Sequence, residues 1–294
     1  MKDRIIRGTA KDGSVRFFAA ITTNLVEKAR EIHDCYPVAA AALGRVLTGA
    51  AMMGTMLKNE KDKITVQING GGKAGTIIAA ANCKGIVKGY ISNPHIELPL
   101  NCKGKLDVGG AVGSNGQLVV IKDMGLKEPY IGQTQIVSGE IAEDITYYFA
   151  MSEQIPSAVS LGVLVDTNLE VISAGGFIIQ MMPDANEFDR DIIEYRLNEI
   201  PSVTQVIKET GGIEAVLEEL LDGMDYKILD EYEPDFLCEC SRERIEKVLI
   251  SLGKVELKSL SEEEGPTEVN CHFCNKKYSF TKKDIYDLLE NSTR

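Results

Sequence analysis

The chain has 294 residues, 44% of them hydrophobic and 26% charged, with a formal net charge of −12. That apolar content suffices for one sizeable core and at least one smaller unit, while the acidic excess argues against nucleic acid as the main partner, since phosphate binding needs clustered Lys and Arg. The charged start Met1-Lys2-Asp3-Arg4 is followed by no apolar run resembling a signal peptide, which predicts a cytoplasmic protein whose paired cysteines mean metal or redox chemistry and not structural disulfides.

Arg4 to Thr9 and Val15 to Thr22 alternate as strands around Lys11-Asp12-Gly13, which predicts a hairpin. Thr23 or Asn24 is placed to cap a helix reaching Cys35, and Pro37 suits the first turn of a long Ala-rich helix. The stretch Pro37 to Leu57 approaches bilayer-spanning length, but Arg45 near its middle and its Ala and Gly content read as a buried helix. Short strand-like runs follow at Ile64 to Asn69, Thr76 to Ala81, Ile86 to Ser92, Gln117 to Lys122 and Ile131 to Ser138, separated by glycine turns. Gly70-x-Gly72-x-x-Gly75 spells a dinucleotide fingerprint, yet Thr76-Ile77-Ile78-Ala79 continues it as a strand and not as a helix N-terminus, so a glycine turn is the better reading. A helix over Ile141 to Gln154 and a hairpin of Ala158 to Val165 with Leu169 to Ser173 follow. Residues 1–183 are therefore read as one α+β domain with mainly antiparallel strands.

Charge is concentrated in the next stretch. Residues 184–235 hold 4 basic and 16 acidic side chains, which equals the net charge of the whole chain. Phe188, Ile192, Ile193, Leu197 and Ile200 fall at helical spacing, as do Ile213, Val216, Leu217 and Leu220. This predicts two amphipathic helices broken near Pro201 and Gly211-Gly212. The like-charge pairs Glu187/Asp191, Glu214/Glu218 and Glu218/Asp222 each cost a few tenths of a kcal/mol, so the linker is expected to persist only while its apolar faces are docked.

In residues 236–294, Cys238-x-Cys240 and Cys271-x-x-Cys274 stand thirty residues apart. Two tight thiol pairs can grip opposite sides of a tetrahedral ion, so a four-cysteine zinc site is the leading reading. His272 lies just after the first cysteine of a knuckle, a position that points away from the metal. Ser241 can cap a helix ended by Gly253, Val255 to Leu260, Glu268 to Asn270 and Tyr278 to Phe280 are read as strands, and Thr281 with Asp284 caps a final helix. Cys35, Cys83 and Cys102 are isolated and read as buried apolar residues; His33 and His95 read as ordinary packing or surface residues. No catalytic arrangement stands out, which predicts a non-enzyme. The same cysteines would also serve a dithiol oxidoreductase, a nucleic-acid-binding zinc ribbon or a purely structural zinc module, although the tail carries 10 basic and 11 acidic side chains and so does not favour nucleic acid.

Cys238-x-Cys240-Ser241, the spacer, and Cys271-x-x-Cys274 with Tyr278 and Phe280, taken with Tyr147-Tyr148-Phe149, Ser152-Glu153-Gln154, Ala174-Gly175-Gly176 and Gln180-x-x-Pro183, resemble the redox-regulated holdase chaperones of the thirty-three-kilodalton heat-shock protein family. The resemblance implies an ATP-independent chaperone of oxidative stress with one Zn2+ per chain, nearly inactive when reduced. It implies that hypochlorous acid, or peroxide with heat, converts the ligands to Cys238–Cys240 and Cys271–Cys274 disulfides, that zinc is lost and that tail and linker unfold. It further implies client proteins and a homodimer as partners, dimerisation through residues 1–183, a redox-switch zinc domain over 236–294, and no membrane. On this reading the linker uncovers Phe188, Ile192, Ile193, Val216, Leu217 and Leu220 as candidate client-binding residues.

Overall fold

The computed structural model describes residues 2–291. In chain order the elements are β1 (Arg4–Ala10), β2 (Val15–Ile21), α1 (Thr23–His33), α2 (Pro37–Gly54), β3 (Lys63–Asn69), β4 (Ile77–Asn82), β5 (Ile86–Ile91), α3 (Val108–Val112), β6 (Gln117–Asp123), β7 (Tyr130–Gln135), α4 (Ala142–Tyr148), β8 (Ser157–Val165) and β9 (Val171–Met181). The acidic stretch supplies α5 (Glu187–Glu199), α6 (Val203–Thr210), α7 (Glu214–Leu220), β10 (Lys227–Tyr232) and β11 (Asp235–Phe236). The tail supplies α8 (Arg242–Ser251), α9 (Lys254–Glu262), β12 (Thr267–Asn270), β13 (Lys277–Phe280) and α10 (Lys282–Asn291). By contact the chain falls into two compact units, 1–237 and 238–294, with the acidic stretch inside the first.

The first unit is α+β, built on two sheets with strand orders β10-β1-β2-β9-β8 and β11-β5-β4-β3-β6-β7. Every pairing is antiparallel except β11 with β5. The Ala-rich α2 lies between the sheets, packed on β4 and β5 of one and β8 and β9 of the other. It is the one described helix long and apolar enough to cross a membrane, and 89% of that span is buried inside the protein. Small residues allow the approach: a Cβ on Gly44 would sit 2.5 Å from Val26 Cγ1, and one on Gly54 would sit 2.4 Å from the Asn82 carbonyl oxygen.

Strand alternation gives the first sheet two buried faces. Ile5, Phe18, Ala20 and Ile178 join the core around α2, whereas Ile6, Phe17, Ala19, Ile21, Phe177 and Ile179 point to the other side and are covered by α5–α7. The cap of α1 departs from the expected Thr23 or Asn24: Asp3 accepts from the Asn24 N–H at 3.0 Å and the Leu25 N–H at 2.7 Å. Gly70 and Gly72 lie in a turn whose backbone runs against residues 111–113, where a Cβ would meet carbonyl oxygens at 2.0 and 2.3 Å. The glycines serve close approach there, as a glycine turn requires.

Two sequence readings are corrected. The acidic stretch holds three helices, since Val203, Val206 and Ile207 form a short buried stripe between the two expected helices. Val255 to Leu260 is helix α9, not a strand. Gly253, at φ +95°, ends one helix and lets another start, and the buried positions Leu257 and Ser261 fall four apart, which is helical spacing.

Candidate metal centre

The second unit packs Leu249, Leu257, Tyr278, Phe280, Ile285 and Leu288 around the buried side of Cys271. Strands β12 and β13 pair from Thr267↔Phe280 to Asn270↔Lys277, and Cys271 to Cys274 forms the turn between them. The Cys271 N–H donates to the Lys276 carbonyl at 3.0 Å, while the N–H groups of Cys274 and Asn275 converge on the Cys271 carbonyl at 3.2 and 2.8 Å. Asn275 closes the turn at φ +55°, a conformation that Asn tolerates better than most side chains.

The other pair sits just before α8, in a loop fixed from both ends. Ser241 Oγ accepts from the Arg244 N–H at 3.3 Å, and the Arg244 guanidinium donates to the Glu239 carbonyl at 2.9 Å. Arg242 ties the two halves of the unit together. It donates to the Ser279 carbonyl at 2.9 Å, pairs with Asp284 at 3.0 Å and lies 4.3 Å over the Phe280 ring.

All four predicted ligands meet. The Sγ atoms of Cys238, Cys240, Cys271 and Cys274 lie within 4.8 Å of one another. Sγ of Cys238 is 3.6 Å from that of Cys271, and Sγ of Cys240 is 3.3 Å from that of Cys274. Four sulfurs at ~2.3 Å from one ion would be roughly 3.8 Å apart, so the cluster has the size a tetrahedral thiophilic ion needs. Among the described residues, no carboxylate or imidazole belongs to this cluster.

The sulfurs also differ electrostatically. Burial pushes the Cys238 and Cys274 thiols up. Burial acts in the same sense on Cys240, but hydrogen bonds from the Tyr278 phenol, at 3.1 Å, and from neighbouring thiols outweigh it and bring Cys240 down to about 7. Tyr278 touches the cluster directly, a contact that its place in a strand and in the family motif did not indicate. Its signal is the alternation of β13, which turns Tyr278 and Phe280 inward together.

The other candidates lie elsewhere. Ile193, Val216, Leu217 and Leu220 are buried beneath the linker helices, Ile192 is half-buried against them, and Phe188 is 71% exposed. Of the isolated cysteines only Cys35 is buried, which pushes its thiol up to about 12. Cys83 is half-buried and Cys102 exposed, which corrects the expectation that all three are core residues: Cys83 falls in the turn after β4, and Cys102 in a turn of the loop between β5 and α3. His33 donates to the Gly89 carbonyl at 2.9 Å, and His95 pairs with Asp34 at 3.0 Å.

The linker's charge is met from outside the linker. Arg4 pairs with Glu214, Arg7 with Asp230 at 2.6 Å, Lys11 with Asp189 at 3.7 Å, Lys28 with Asp235 at 2.9 Å and Lys2 with Glu233. Five basic residues from the first 28 therefore face the acidic stretch.

A family described as "Hsp33 protein" matches residues 3–281 of the chain. A protein named 33 kDa chaperonin from Clostridium botulinum strain Eklund 17B is 58% identical over 294 residues, covering 100% of both chains. One of the same name from Clostridium beijerinckii is 56% identical over 292 residues, covering 99% of this chain and 100% of its own. The crystal structure of the 33 kDa chaperonin (heat shock protein 33 homolog) of Thermotoga maritima superposes with a TM-score of 0.92 at 39% identity, covering 100% of this chain and 99% of that one.

Proposed function

Because the chain belongs to the Hsp33 family, we propose that it is a redox-regulated, ATP-independent holdase that keeps unfolding proteins from aggregating under oxidative stress. The observation that carries this reading is the convergence of four cysteine sulfurs, and no other potential ligand, within 4.8 Å. Cys238, Cys240, Cys271 and Cys274 would hold one Zn2+, which when bound supplies the cross-link between the two halves of the tail. In small cysteine sites that cross-link is worth roughly 10–16 kcal/mol of apparent folding free energy.

The thiolates that hold the tail are also its oxidisable groups. Each pair loses two electrons and forms one S–S bond, Cys238 with Cys240 and Cys271 with Cys274. The oxidant takes up those electrons: hypochlorous acid becomes chloride and water, and peroxide becomes water. The new bonds close loops of only a few residues and stabilise less than the ~3 kcal/mol of a fifteen-residue loop, so oxidation does not restore the fold. Residues 236–294 then act as the switch, residues 184–235 as the responsive element and residues 1–183 as the dimerising core. Ile193, Val216, Leu217 and Leu220, buried at rest, would be uncovered together with Ile192 and the already exposed Phe188.

This reading places the active protein in the cytoplasm as a homodimer, with unfolding proteins and not nucleic acid or membrane as partners, and with no turnover of its own. The knuckle geometry supports it over dithiol catalysis, since Cys271 and Cys274 stand between two antiparallel strands and not at the start of a helix in a βαβ unit. The test follows zinc with a chromophoric chelator while the purified protein is oxidised, then measures aggregation of a heat-unfolding client without ATP. Zinc release accompanied by suppressed aggregation supports the function; zinc release with undiminished aggregation defeats it.

A further inference from the structure

Strand β1 has two neighbours held in different ways. β2 pairs along all of it, from Arg4↔Ile21 to Ala10↔Val15. β10, on its outer side, runs from Ile5↔Tyr232 to Thr9↔Lys227 with a register shift between Arg7 and Gly8. β1 is anchored without β10, because Ile5 and Ile6 are buried in the cores on opposite faces of the sheet. β10 contributes one partly buried side chain, Tyr232, to the core around α2; none of its residues is fully buried, and Ile228 and Leu229 are 45% and 59% exposed.

Beyond Tyr232, what attaches β10 is main chain and charge. Asp230 accepts from Arg7 Nε at 2.6 Å, Glu231 lies 3.8 Å from Arg4, and the Arg7 guanidinium is 6.0 Å from the Tyr232 ring centre. At Gly8 the backbones are so close that a Cβ would meet the Lys227 carbonyl oxygen at 2.1 Å. A strand laid in this manner on a sheet that is complete without it occupies the place of a peptide ligand. Ladder hydrogen bonds give such a ligand its affinity, and alternate side chains give it preference.

We propose that the outer edge of β1 is a binding site for extended polypeptide, filled at rest by residues 227–232 and offered to unfolding clients once these leave. The inference rests on the holdase reading and adds a recognition mode to it: an antiparallel client strand with a carboxylate opposite Arg7 or Arg4 and an apolar or aromatic residue opposite Ile5. Unfolded chains expose main-chain donors and acceptors everywhere, so an edge reads them with little regard to sequence. The two arginines bias it towards acidic-apolar segments and against basic ones.

The probe is a fluorescent peptide of residues 225–233, compared with one N-methylated on the amides that would face β1 and one carrying lysines for its Asp230 and Glu231. Each is titrated into the full-length protein, reduced and oxidised, and followed by anisotropy. Saturable binding to the oxidised form alone is expected, at least tenfold weaker for both altered peptides, and Arg7→Glu should narrow or reverse the preference against the lysine peptide. Three outcomes overturn the proposal. One is the absence of saturable binding, another is equal binding of the N-methylated peptide, and the third is an oxidised dimer that excludes all three peptides because a second copy's strand fills the edge. Client aggregation measured on the same oxidised sample keeps the two readings apart. Suppression without strand-specific peptide binding removes the edge site and leaves the holdase function, whereas no suppression removes the holdase function whatever the peptides do.

Discussion

The phenol of Tyr278 donates a hydrogen bond to Sγ of Cys240 at 3.1 Å, so one residue of β13 both packs the tail's core and tunes a ligand. Groups that orient or polarise a metal ligand from outside typically carry about 10–100-fold of the metal affinity. Tyr278→Phe should therefore weaken zinc binding by that factor in a competition titration with a chromophoric chelator. The deficit has a pH signature, because the bond is one of the contacts, with those of the neighbouring thiols, that bring the Cys240 thiol down to about 7 from an ordinary 9.0, and losing it raises that value. Below pH 7 protons compete at Cys240 in both proteins and the variant pays the full difference; as pH rises past 9 both are thiolates and this part vanishes. A deficit independent of pH would mean that Tyr278 acts by packing alone.

Cys274→Ser removes one of the four proposed sulfur ligands and should abolish tight zinc binding even in reductant. Metal content is expected to fall to a small fraction of one ion per chain, with residues 238–291 and the linker 184–235 open to limited proteolysis and residues 2–183 still resistant. Peptide mapping of the oxidised parent protein is a companion measurement. The shortest sulfur contacts run across the pairs, Cys240 to Cys274 at 3.3 Å, while the expected disulfides join sequence neighbours, so recovery of crossed pairs would defeat the proposed pairing.

Leu217 is fully buried between α7 and the outer face of the first sheet. Leu217→Ala should destabilise that docking by about 2–5 kcal/mol while leaving the cysteines untouched. The expected result is client protection by the reduced, zinc-loaded protein, with faster hydrogen exchange confined to residues 187–232. Unchanged zinc content with no protection in reductant would show that undocking the linker is not sufficient.

Arg242→Ala removes four contacts at once, with the Ser279 carbonyl, Asp284, Glu246 at 3.2 Å and the Phe280 ring. The pair with Asp284 is 42% and 38% exposed at its two side chains, so screening limits it, and most of the loss comes from the carbonyl hydrogen bond and the ring contact. Amide exchange in residues 277–291 is expected to quicken by about tenfold. Arg242→Lys should recover only part of this, since an ammonium lacks the planar fork and the flat face that lies on Phe280. The Asp284 carboxyl is held below its usual 3.8 by the Thr281 N–H and hydroxyl and by Arg242. Its share of the stability is thus complete at neutral pH and fades only in acid below that value.

Local signals carried most of what the sequence made legible. Alternation gave the hairpin of β1 and β2, composition gave the buried α2, and spacing alone brought Cys238, Cys240, Cys271 and Cys274 together. What escaped were elements defined by distant partners. β10 has no strand pattern worth noticing in Lys227–Tyr232 because its apolar residues remain exposed, and it is a strand only because β1, more than 200 positions earlier, presents an open edge to it. The cap of α1 escaped for the same reason, since Asp3 reaches it from outside the helix. α9 was misread because Val255 and Leu257 alternate while Leu257 and Leu260 fall at helical spacing over so short a run, and only the burial of Leu257 with Ser261 decides between them. The linker's charge pattern implies self-repulsion, and the cations that face it are Arg4, Arg7 and Lys28, which no local window contains.

Phe236 stands two residues before Cys238, with its ring buried edge-on to His33 at 6.1 Å and its backbone paired with Val87. Disorder that starts at the cysteines and spreads backwards along the chain meets this ring before it meets β10. Withdrawing a buried Phe costs about 1.5–3 kcal/mol, so the ring marks a stop at which fraying halts until the surrounding core loosens. Warming, or any substitution that softens the pocket around His33, eases that second stage without altering a single thiol. Sensitivity to temperature can thus be adjusted at Phe236 independently of sensitivity to oxidant.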